Sequence, residues 1–395
     1  ICDTGEVPVI KLWHIFGGDT DPNKAIIDQV VKDAEEKFHV KIESDTAENE
    51  AYKMKLKAAI AANETPDIFY TWGHGFIKPF VEAGKVEALD DYLTDDFKSH
   101  LGPSTLTGFQ FDEKTYALTT DQSVACMFYN KEMFEKLNLE VPETFDDFLT
   151  VCQTFLDNGI TPLTVGGKEP WTIAMYHDLL ALRAVGSEGV KAATGKETGY
   201  DDPGFLEAAQ CLKKLVDMGA FPDGSAGISR EESEVPFLQG QIPMYLNGSW
   251  LPNEVKNQTP EDFKWGAFSL PQIAEGGDGA ESNQYGAQCF AINKDTKYPN
   301  AAFALIQWLT SGEWDQKLAD ASMGVPMDNN ATWPAALADA KAVLDSTTHR
   351  LNWAVGMEND TNVNAAIKTN MAMMISGSVN AQQFADAFAK IQKGS

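Results

Sequence analysis

One short stretch of the chain, PDIFYTWGHGF at residues 66–76, places an indole and an imidazole directly after a buried strand. The residues from Asp67 to Thr71 have the composition of a strand in the interior of a sheet. Trp72, Gly73 and His74 follow where this strand ends. An indole offers an apolar face, and an imidazole offers one hydrogen-bond donor and one acceptor. These residue types suit the binding of a small molecule that has both apolar and polar groups.

Other tryptophans stand in similar surroundings. Trp171, Trp250 and Trp353 also fall at predicted helix starts, strand ends or loops, beside polar or charged side chains. A pyranose ring has an apolar face, which aromatic rings cover, and a rim of hydroxyls, which polar side chains bind. As a group these residues predict a sugar site, although each tryptophan taken singly is also explained as a packing residue.

Motifs for catalysis or metal binding are missing from the sequence. The six histidines are scattered, with no HExxH motif and no Cys/His cluster at ligand spacing. The segment TVGGKEPW lacks the frame of a phosphate-binding loop, and there is no GxSxG motif. We therefore expect no metal, no cofactor and no catalytic residue.

Length and charge narrow the class of protein. A chain of 395 residues, 43% of them hydrophobic, is too long for one compact core and suggests two domains. The net charge of −27 would repel phosphate backbones, so nucleic acid is a poor candidate partner.

No apolar run approaches the roughly 20 residues that cross a bilayer. Five cysteines without a CxxC pair form no disulfide framework.

The first third of the chain alternates strands and helices. Strands are predicted at 7–13, 40–46 and 67–71, with helices between them, and Asp21 and Pro22 suit the start of the first helix. This βαβαβ pattern predicts a parallel sheet covered by helices. In such sheets ligands bind at the carboxyl ends of strands, where His14 and Trp72 stand.

The remainder is predicted to contain helices, two strands and a Gly-rich segment. The helices are expected at 131–138, 144–157, 171–185, 203–218, 300–322, 334–345, 361–375 and 379–391, the strands at 242–248 and 287–293, and a loop or linker at 271–286.

Five segments, taken in order, resemble one known family. They are TPDIFYTWGHG, YALTTDQSVACMFYNKEMFEKLNLEVPETFDDFL, NGITPLTVGGKEPW, FLQGQIPMYLNGSW and NAAFALIQWLTSGEWDQKLADASMGVPM. The ordered set resembles the extracellular carbohydrate-binding proteins of bacterial ABC transporters, the group that includes maltose-binding protein. The similarity covers nearly the whole chain.

This resemblance implies an α/β fold of the two-lobed, periplasmic-binding-protein-like type II, with helix-covered sheets of parallel type and a ligand cleft between the lobes. The first lobe would comprise 1–120 and 287–325, and the second 121–286 and 326–395. The chain crossings would fall near 119–122, 283–288 and 324–329.

The resemblance also implies a set of ligand-binding residues. His14 and Phe16 come from a loop whose length varies in the family. Trp353 and Glu358 lie in a region without a close motif match and are added on composition and approximate position only. The whole set is His14, Phe16, Trp72, Gly73, His74, Asp121, Lys168, Glu169, Trp171, Asn247, Trp250, Trp353 and Glu358.

The implied function is that of a receptor, not an enzyme, that captures a di- or oligosaccharide and delivers it to the permease subunits of an ABC transporter. The protein would act as a monomer outside the cell, anchored as a lipoprotein or free in the periplasm. Cys2 suggests lipidation, although Ile1 is a poor match to the small residue expected at a cleavage site. The sequence His-Gly-Phe at 74–76 differs from the charged residues of maltose-binding protein, which argues against transferring maltose as the ligand.

Two other functions remain open from the sequence. A glycoside hydrolase could use Asp121 and Glu169 as its two carboxylates. A receptor for a cationic or peptide solute would suit the acidic charge and would bind less tightly in strong salt.

Overall fold

The computed structural model describes residues 7–18, 21, 23–102, 105–120, 122–195, 197–273, 275–286, 288–321, 325–352 and 361–393. The strands within these residues are β1 (Val9–His14), β2 (Lys41–Thr46), β3 (Ile68–Trp72), β4 (Gln110–Phe111), β5 (Lys114–Thr115), β6 (Ala117–Thr119), β7 (Ala125–Asn130), β8 (Leu163–Thr164), β9 (Met244–Gly248), β10 (Trp265–Phe268), β11 (Ser282–Tyr285), β12 (Gln288–Ile292) and β13 (His349–Asn352).

Helices connect most of these strands. They are α1 (Lys24–Phe38), α2 (Asn49–Ala62), α3 (Lys78–Glu82), α4 (Asp95–Ser99), α5 (Lys131–Lys136), α6 (Phe145–Asp157), α7 (Pro170–Val185), α8 (Ser187–Thr194), α9 (Pro203–Asp217), α10 (Arg230–Leu238), α11 (Leu251–Glu254), α12 (Pro299–Leu309), α13 (Gly312–Ala321), α14 (Ala338–Ser346), α15 (Thr361–Ile375) and α16 (Ala381–Lys393).

The described residues form two compact units. The first draws on Ile1–Gln122, Pro252–Asn257 and Gly286–Leu337, and the second on Ser123–Leu251, Gln258–Tyr285 and Ala338–Ser395. The lobe boundaries inferred from the sequence stay a prediction.

The first unit is built around a five-stranded sheet in the order β2-β1-β3-β12-β6. Strands β1, β2 and β3 are parallel, as their alternation with helices predicts. Strand β12 runs antiparallel to both β3 and β6. Because β1 pairs directly with β3, the carboxyl ends of these two strands lie side by side. All five residues of β3 are buried, which explains its continuous apolar and aromatic sequence.

The start of α1 differs from the prediction. The helix begins at Lys24, and its N-cap position is Asn23, whose side chain makes no capping hydrogen bond. The Asp21 carboxylate instead accepts a hydrogen bond of 2.8 Å from the Asn23 backbone N–H. Asp21 therefore stabilises the turn before the helix, a common role of aspartate, and Pro22 lies outside the described residues.

The second unit is built around a four-stranded sheet in the order β10-β7-β9-β8. Strand β7 is antiparallel to both β10 and β9, and β8 is parallel to β9. Helix α7 is buried without interruption from Thr172 to Ala184. This run includes buried polar side chains, among them His177, Asp178 and Arg183, as well as apolar ones. Because it is covered on every face, α7 lies inside this unit, and its first turn carries Trp171.

Two element predictions were wrong. The predicted loop at 271–286 contains β11, which pairs in parallel with β13. The single helix predicted at 300–322 is instead two helices, α12 and α13, which meet at Gly312 with a φ of +65°. A left-handed residue cannot continue a right-handed helix, and glycine adopts that conformation at little cost.

Candidate functional site

In the first unit, the sheet brings the predicted residues of two loops together. His14 is the last residue of β1 and Trp72 is the last residue of β3. Tyr70 joins them, since its ring centroid lies 5.3 Å from that of Phe16 and 5.4 Å from that of Trp72, with near-perpendicular rings in both pairs. Edge-to-face contacts of this kind favour a fixed geometry. The pairing of β1 with β3 therefore places His14, Phe16 and Trp72 in one aromatic cluster.

The imidazole of His14 is buried, with 1% of its surface exposed. Its Nδ1 accepts a hydrogen bond of 3.2 Å from the Phe16 backbone N–H. Burial lowers the pKa of His14 to about 4, so the ring is neutral and its proton is on Nε2. That Nε2 has no hydrogen-bond partner among the described residues. His14 is therefore a buried donor without an acceptor from the protein.

Trp72 is more enclosed than its position after a strand suggests, with 8% of its surface exposed. Its ring packs against Tyr52 and Phe76 at centroid distances of 6.1 and 5.1 Å. The Lys53 ammonium lies 4.7 Å from the indole centroid, a distance at which cation and ring attract each other. Much of the indole is thus occupied by packing in this structure.

The turn that follows Trp72 bends at His74 rather than at its neighbouring glycines. His74 has a φ of +50°, in the left-handed region that side chains seldom adopt. Its backbone N–H donates to the Gly108 carbonyl at 2.7 Å, and a Cβ on Gly73 would come within 2.7 Å of that oxygen. Gly73 is needed because a side chain there would collide with the Gly108 carbonyl. His74 carries the backbone strain of the turn, and strained residues of this kind are typical of functional sites.

His74 resembles His14 in its electrostatics. Burial lowers its pKa to about 4, and its Nε2 also lacks a hydrogen-bond partner within the part of the chain that the structure describes. The first unit therefore carries two neutral imidazoles, both close to the ends of β1 and β3.

In the second unit, Lys168 and Glu169 lie in the loop before α7. Hydrogen bonds join this loop to the segment that leads into α10. The Lys168 N–H donates to the Ile228 carbonyl at 3.0 Å, and the Arg230 N–H donates to the Glu169 carboxylate at 2.7 Å. Gly166 lies so close that a Cβ would approach the Arg230 Cα to 2.5 Å. Arg230 is the first residue of α10, so the Glu169 carboxylate lies at the positive end of that helix.

Trp171 and Trp250 are brought together in the second unit. Their ring centroids are 6.3 Å apart and their planes are inclined at 53°. Trp171 belongs to the first turn of α7, and Trp250 follows the end of β9. Both side chains are half-buried. Two inclined indoles that are partly exposed form a bent apolar surface that can cover the face of a sugar ring.

Asn247 lies on β9 close to this surface. It is 1% exposed, and its Oδ1 accepts a hydrogen bond of 2.8 Å from the Gly248 N–H. Its Nδ2 has no partner in the described ranges. The second unit thus offers an apolar platform and one amide donor near the same strand end.

Three of the predicted site residues, Asp121, Trp353 and Glu358, lie outside the described residues. The predicted residues that are described fall into two sets, one in each unit: His14, Phe16, Trp72, Gly73 and His74 in the first, and Lys168, Glu169, Trp171, Asn247 and Trp250 in the second.

Sequence reasoning missed several residues that build these two sets. Tyr70 links the aromatic rings of the first unit. The only local sign of this role was its position two residues before Trp72, which puts both side chains on the same face of β3. Arg230 meets Glu169 from 61 residues further along the chain. No local pattern could have paired them.

No group of three or more histidine, cysteine, aspartate or glutamate side chains in the described ranges could hold a metal ion. No described helix is both long enough and apolar enough to cross a membrane.

Known proteins share both the sequence pattern and the fold. The family model for bacterial extracellular solute-binding proteins matches residues 17–316. A binding protein of Brucella abortus is 28% identical over 279 residues, which are 69% of this chain and 65% of that protein, so the match spans slightly less than two thirds of the relative's length. The multiple sugar-binding protein of Streptococcus mutans is 26% identical over 78% of this chain and 74% of its own.

A solved structure from work on xylan utilisation by the thermophilic bacterium Caldanaerobius polysaccharolyticus superposes with a TM-score of 0.88. It is 28% identical and covers 97% of this chain and 99% of its own. The fold is therefore the type II fold of periplasmic binding proteins. Since the family model matches well over half of the chain, this protein belongs to the family of bacterial extracellular solute-binding proteins.

Proposed function

We propose that this protein is the substrate-binding component of an ABC sugar importer, which captures a di- or oligosaccharide and delivers it to the permease subunits. The observation that carries the proposal is the inclined pair Trp171 and Trp250 beside the Asn247 Nδ2, which has no hydrogen-bond partner among the described residues. Indoles cover the apolar face of a pyranose, and an amide donor binds its hydroxyls. A relative that is named a multiple sugar-binding protein supports this ligand class.

The ligand-binding residues in this proposal are those expected from the sequence. Each unit contributes one of the two sets of described residues given above. The proposed site also includes Asp121, Trp353 and Glu358. The lobes would be 1–120 with 287–325 and 121–286 with 326–395. The sugar would bind residues of both lobes in the closed protein, so the difference in affinity between closed and open forms would drive closure.

The charges near the described site favour a neutral ligand over a cationic or peptide solute. His14 and His74 are neutral, and the Glu169 carboxylate already accepts a hydrogen bond from the start of α10. A receptor for cations would place carboxylates where they face the ligand. The hydrogen bond from the Arg230 N–H to the Glu169 carboxylate also argues against Glu169 as one of the two carboxylates of a glycoside hydrolase.

The remaining parts of the proposal concern location and partners. We infer a protein that works as a monomer outside the cytoplasmic membrane, with Cys2 as the candidate for lipidation. Family membership supports the extracellular or periplasmic location. Cys2 lies outside the described residues.

Thermal unfolding against a panel of α- and β-linked di- to tetrasaccharides tests the proposal. A sugar at about 100 times its dissociation constant should stabilise the protein by about 2.7 kcal/mol, which is a shift of a few degrees for a protein of this size. Each mixture is then checked for cleaved sugar. A shift with intact sugar supports the receptor, cleavage would instead identify a hydrolase, and no shift across the panel would contradict a sugar receptor.

A further inference from the structure

Strand β11 lies beside the edge of the second unit at which β7 begins and β9 ends. Ala125, at the start of β7, pairs with Gly248, at the end of β9. The Asn283 side chain of β11 donates to the Ala125 carbonyl at 2.9 Å. Strand β11 therefore adjoins the edge at which Asn247 and Trp250 stand, although its sequence suggested only a loop.

Strand β11 also adjoins the end of β13. The two strands are parallel, and Tyr285 is in register with Asn352. The chain continues from Asn352 directly into Trp353, one of the proposed ligand-binding residues. Strand β11 thus contacts both β7 and β13. In the sequence, a proposed ligand-binding tryptophan follows β9 and another follows β13.

The side chains of β11 at this edge are buried amides with unused hydrogen-bonding atoms. Gln284 is 1% exposed, and neither its Oε1 nor its Nε2 has a partner among the described residues. The Oδ1 of Asn283 and the Nδ2 of Asn247 also lack partners there. Buried polar atoms without partners are rare and costly. Four such atoms belong to three amides of β9 and β11, the two strands that both contact β7. They leave hydrogen-bonding capacity for a polar molecule that reaches the end of β9.

We propose that Gln284 is a further specificity-determining residue of the sugar site. A carboxamide donates from its NH₂ and accepts at its oxygen, so it can bind two vicinal hydroxyls of one sugar ring. A buried site that hydrogen-bonds a substrate hydroxyl discriminates strongly against analogues that lack it. This inference rests on the proposed function, and it extends the site to a strand that no motif indicated.

The variant Gln284→Met tests this role, because methionine keeps the length of the side chain and removes both polar atoms. The probe is whichever of maltotriose, N,N′-diacetylchitobiose, raffinose and xylotriose binds the wild type most tightly in isothermal titration calorimetry. We expect at least a tenfold weaker affinity, about 1.4 kcal/mol. We also expect an unchanged or higher Tm without sugar, since the variant removes an unsatisfied amide from the interior.

The matched control is Asn130→Leu, a buried amide at the other end of β7. Its Oδ1 accepts from the N–H groups of Glu132 and Met133 at 3.0 and 3.2 Å and so caps α5. Losing this cap should lower the Tm and leave the affinity unchanged. A purely structural role for Gln284 predicts the same behaviour for Gln284→Met.

The outcomes separate this inference from the proposed function. If the wild type binds sugar and Gln284→Met binds it equally well, Gln284 is not a ligand-binding residue, whatever the Tm. If the wild type binds none of the four sugars, the probe is the sugar of the di- to tetrasaccharide panel that stabilises it most. If no sugar of that panel binds, both this inference and the sugar-receptor proposal fail. Gln284→Asn keeps the amide and shortens its reach by one methylene, so its affinity decides the question should Gln284→Met not fold.

Discussion

The indole of Trp250 lies directly over the backbone of Gly248, two residues earlier in the chain. A Cβ built on Gly248 would overlap three carbon atoms of the indole, Cζ3, Cη2 and Cε3. Gly248 is the last residue of β9 and does not have a positive φ. The glycine is therefore required for space rather than for backbone freedom, and it fixes the position of the ring.

Replacing Gly248 with alanine should displace the Trp250 ring from its place beside Trp171. We expect the affinity for the sugar that stabilises the wild type to fall about tenfold, or about 1.4 kcal/mol. Isothermal titration calorimetry measures this loss, and near-UV circular dichroism without sugar reports the altered surroundings of the indole. Gly276→Ala is the control, because no atom lies within 4 Å of its added Cβ. An unchanged affinity of Gly248→Ala would contradict the role of Trp250 as a platform.

Acidification should destabilise the first unit through His14. The pKa of His14 in the folded protein is about 4, below the ordinary value of 6.5, so the unfolded chain takes up the proton first. The contribution of His14 to the free energy of unfolding is therefore fully present at neutral pH and is lost as the pH drops from about 6.5 towards 4. Between pH 7 and pH 5 the loss from this one group is about 2 kcal/mol.

Denaturant unfolding at pH 7 and pH 5, without sugar, measures that loss. His14→Asn is the informative variant, because the asparagine Oδ1 can replace Nδ1 as the acceptor for the Phe16 N–H. The variant should lose less stability than the wild type between the two pH values. His39→Asn is the control, since His39 is an exposed left-handed residue at the end of α1, where asparagine is well tolerated. Equal pH dependence in wild type and His14→Asn would disprove the assignment.

Glu169 should contribute to stability even when no sugar is present. Its carboxylate accepts the Arg230 N–H at the start of α10, which satisfies a backbone donor that the helix itself leaves unpaired. Glu169→Ala should cost about 1 kcal/mol, as the loss of a helix cap does. Glu169→Gln keeps an acceptor and loses only the interaction of charge with helix dipole, about 0.5 kcal/mol.

Thermal unfolding of the two variants without ligand tests this order. Glu36→Ala, at an exposed position of α1, provides the baseline for removing a glutamate from the surface. If both Glu169 variants match this baseline, the contact with α10 contributes nothing to stability, and Glu169 would act on ligand alone.

The sequence predicted those parts of the molecule whose cause is local. The βαβαβ segment follows from the period of its apolar residues, and its three strands are parallel, as expected. Strand β11 was missed because its residues, Ser-Asn-Gln-Tyr, show no apolar alternation. Its structure comes from pairing with β13, which is remote in the chain. Similarly, the contact of Glu169 with α10 was missed because that helix begins at Arg230, far away in sequence.

The site residues divide in the same way. Residue types and polar neighbours put Trp171 and Trp250 in one predicted group of tryptophans, and the structure places their ring centroids 6.3 Å apart. The enclosure of Trp72 by Tyr52, Phe76 and Lys53 could not be read from the sequence, because two of these residues come from α2. Burial of an indole depends on tertiary packing rather than on its position after a strand.

The contact between Trp171 and Trp250 predicts that the two indoles act on sugar as one surface. Their centroids are 6.3 Å apart, close enough for a single pyranose to touch both rings. Trp171→Ala and Trp250→Ala should each weaken binding by about 1–3 kcal/mol, the range found for single aromatic rings on which nucleic-acid bases stack. In the double variant the losses should not add, because residues in contact couple by about 0.5–3 kcal/mol.

A double-mutant cycle by calorimetry measures this coupling. Trp308→Ala serves as the control, because Trp308 lies on α12 of the first unit and packs against Phe38 and Trp314 rather than against a proposed ligand-binding residue. It should lower the Tm and leave the affinity unchanged, and its effect should simply add to that of Trp171→Ala. Strictly additive losses for Trp171 and Trp250 would mean that the two indoles bind different parts of the ligand, and the single bent platform would have to be abandoned.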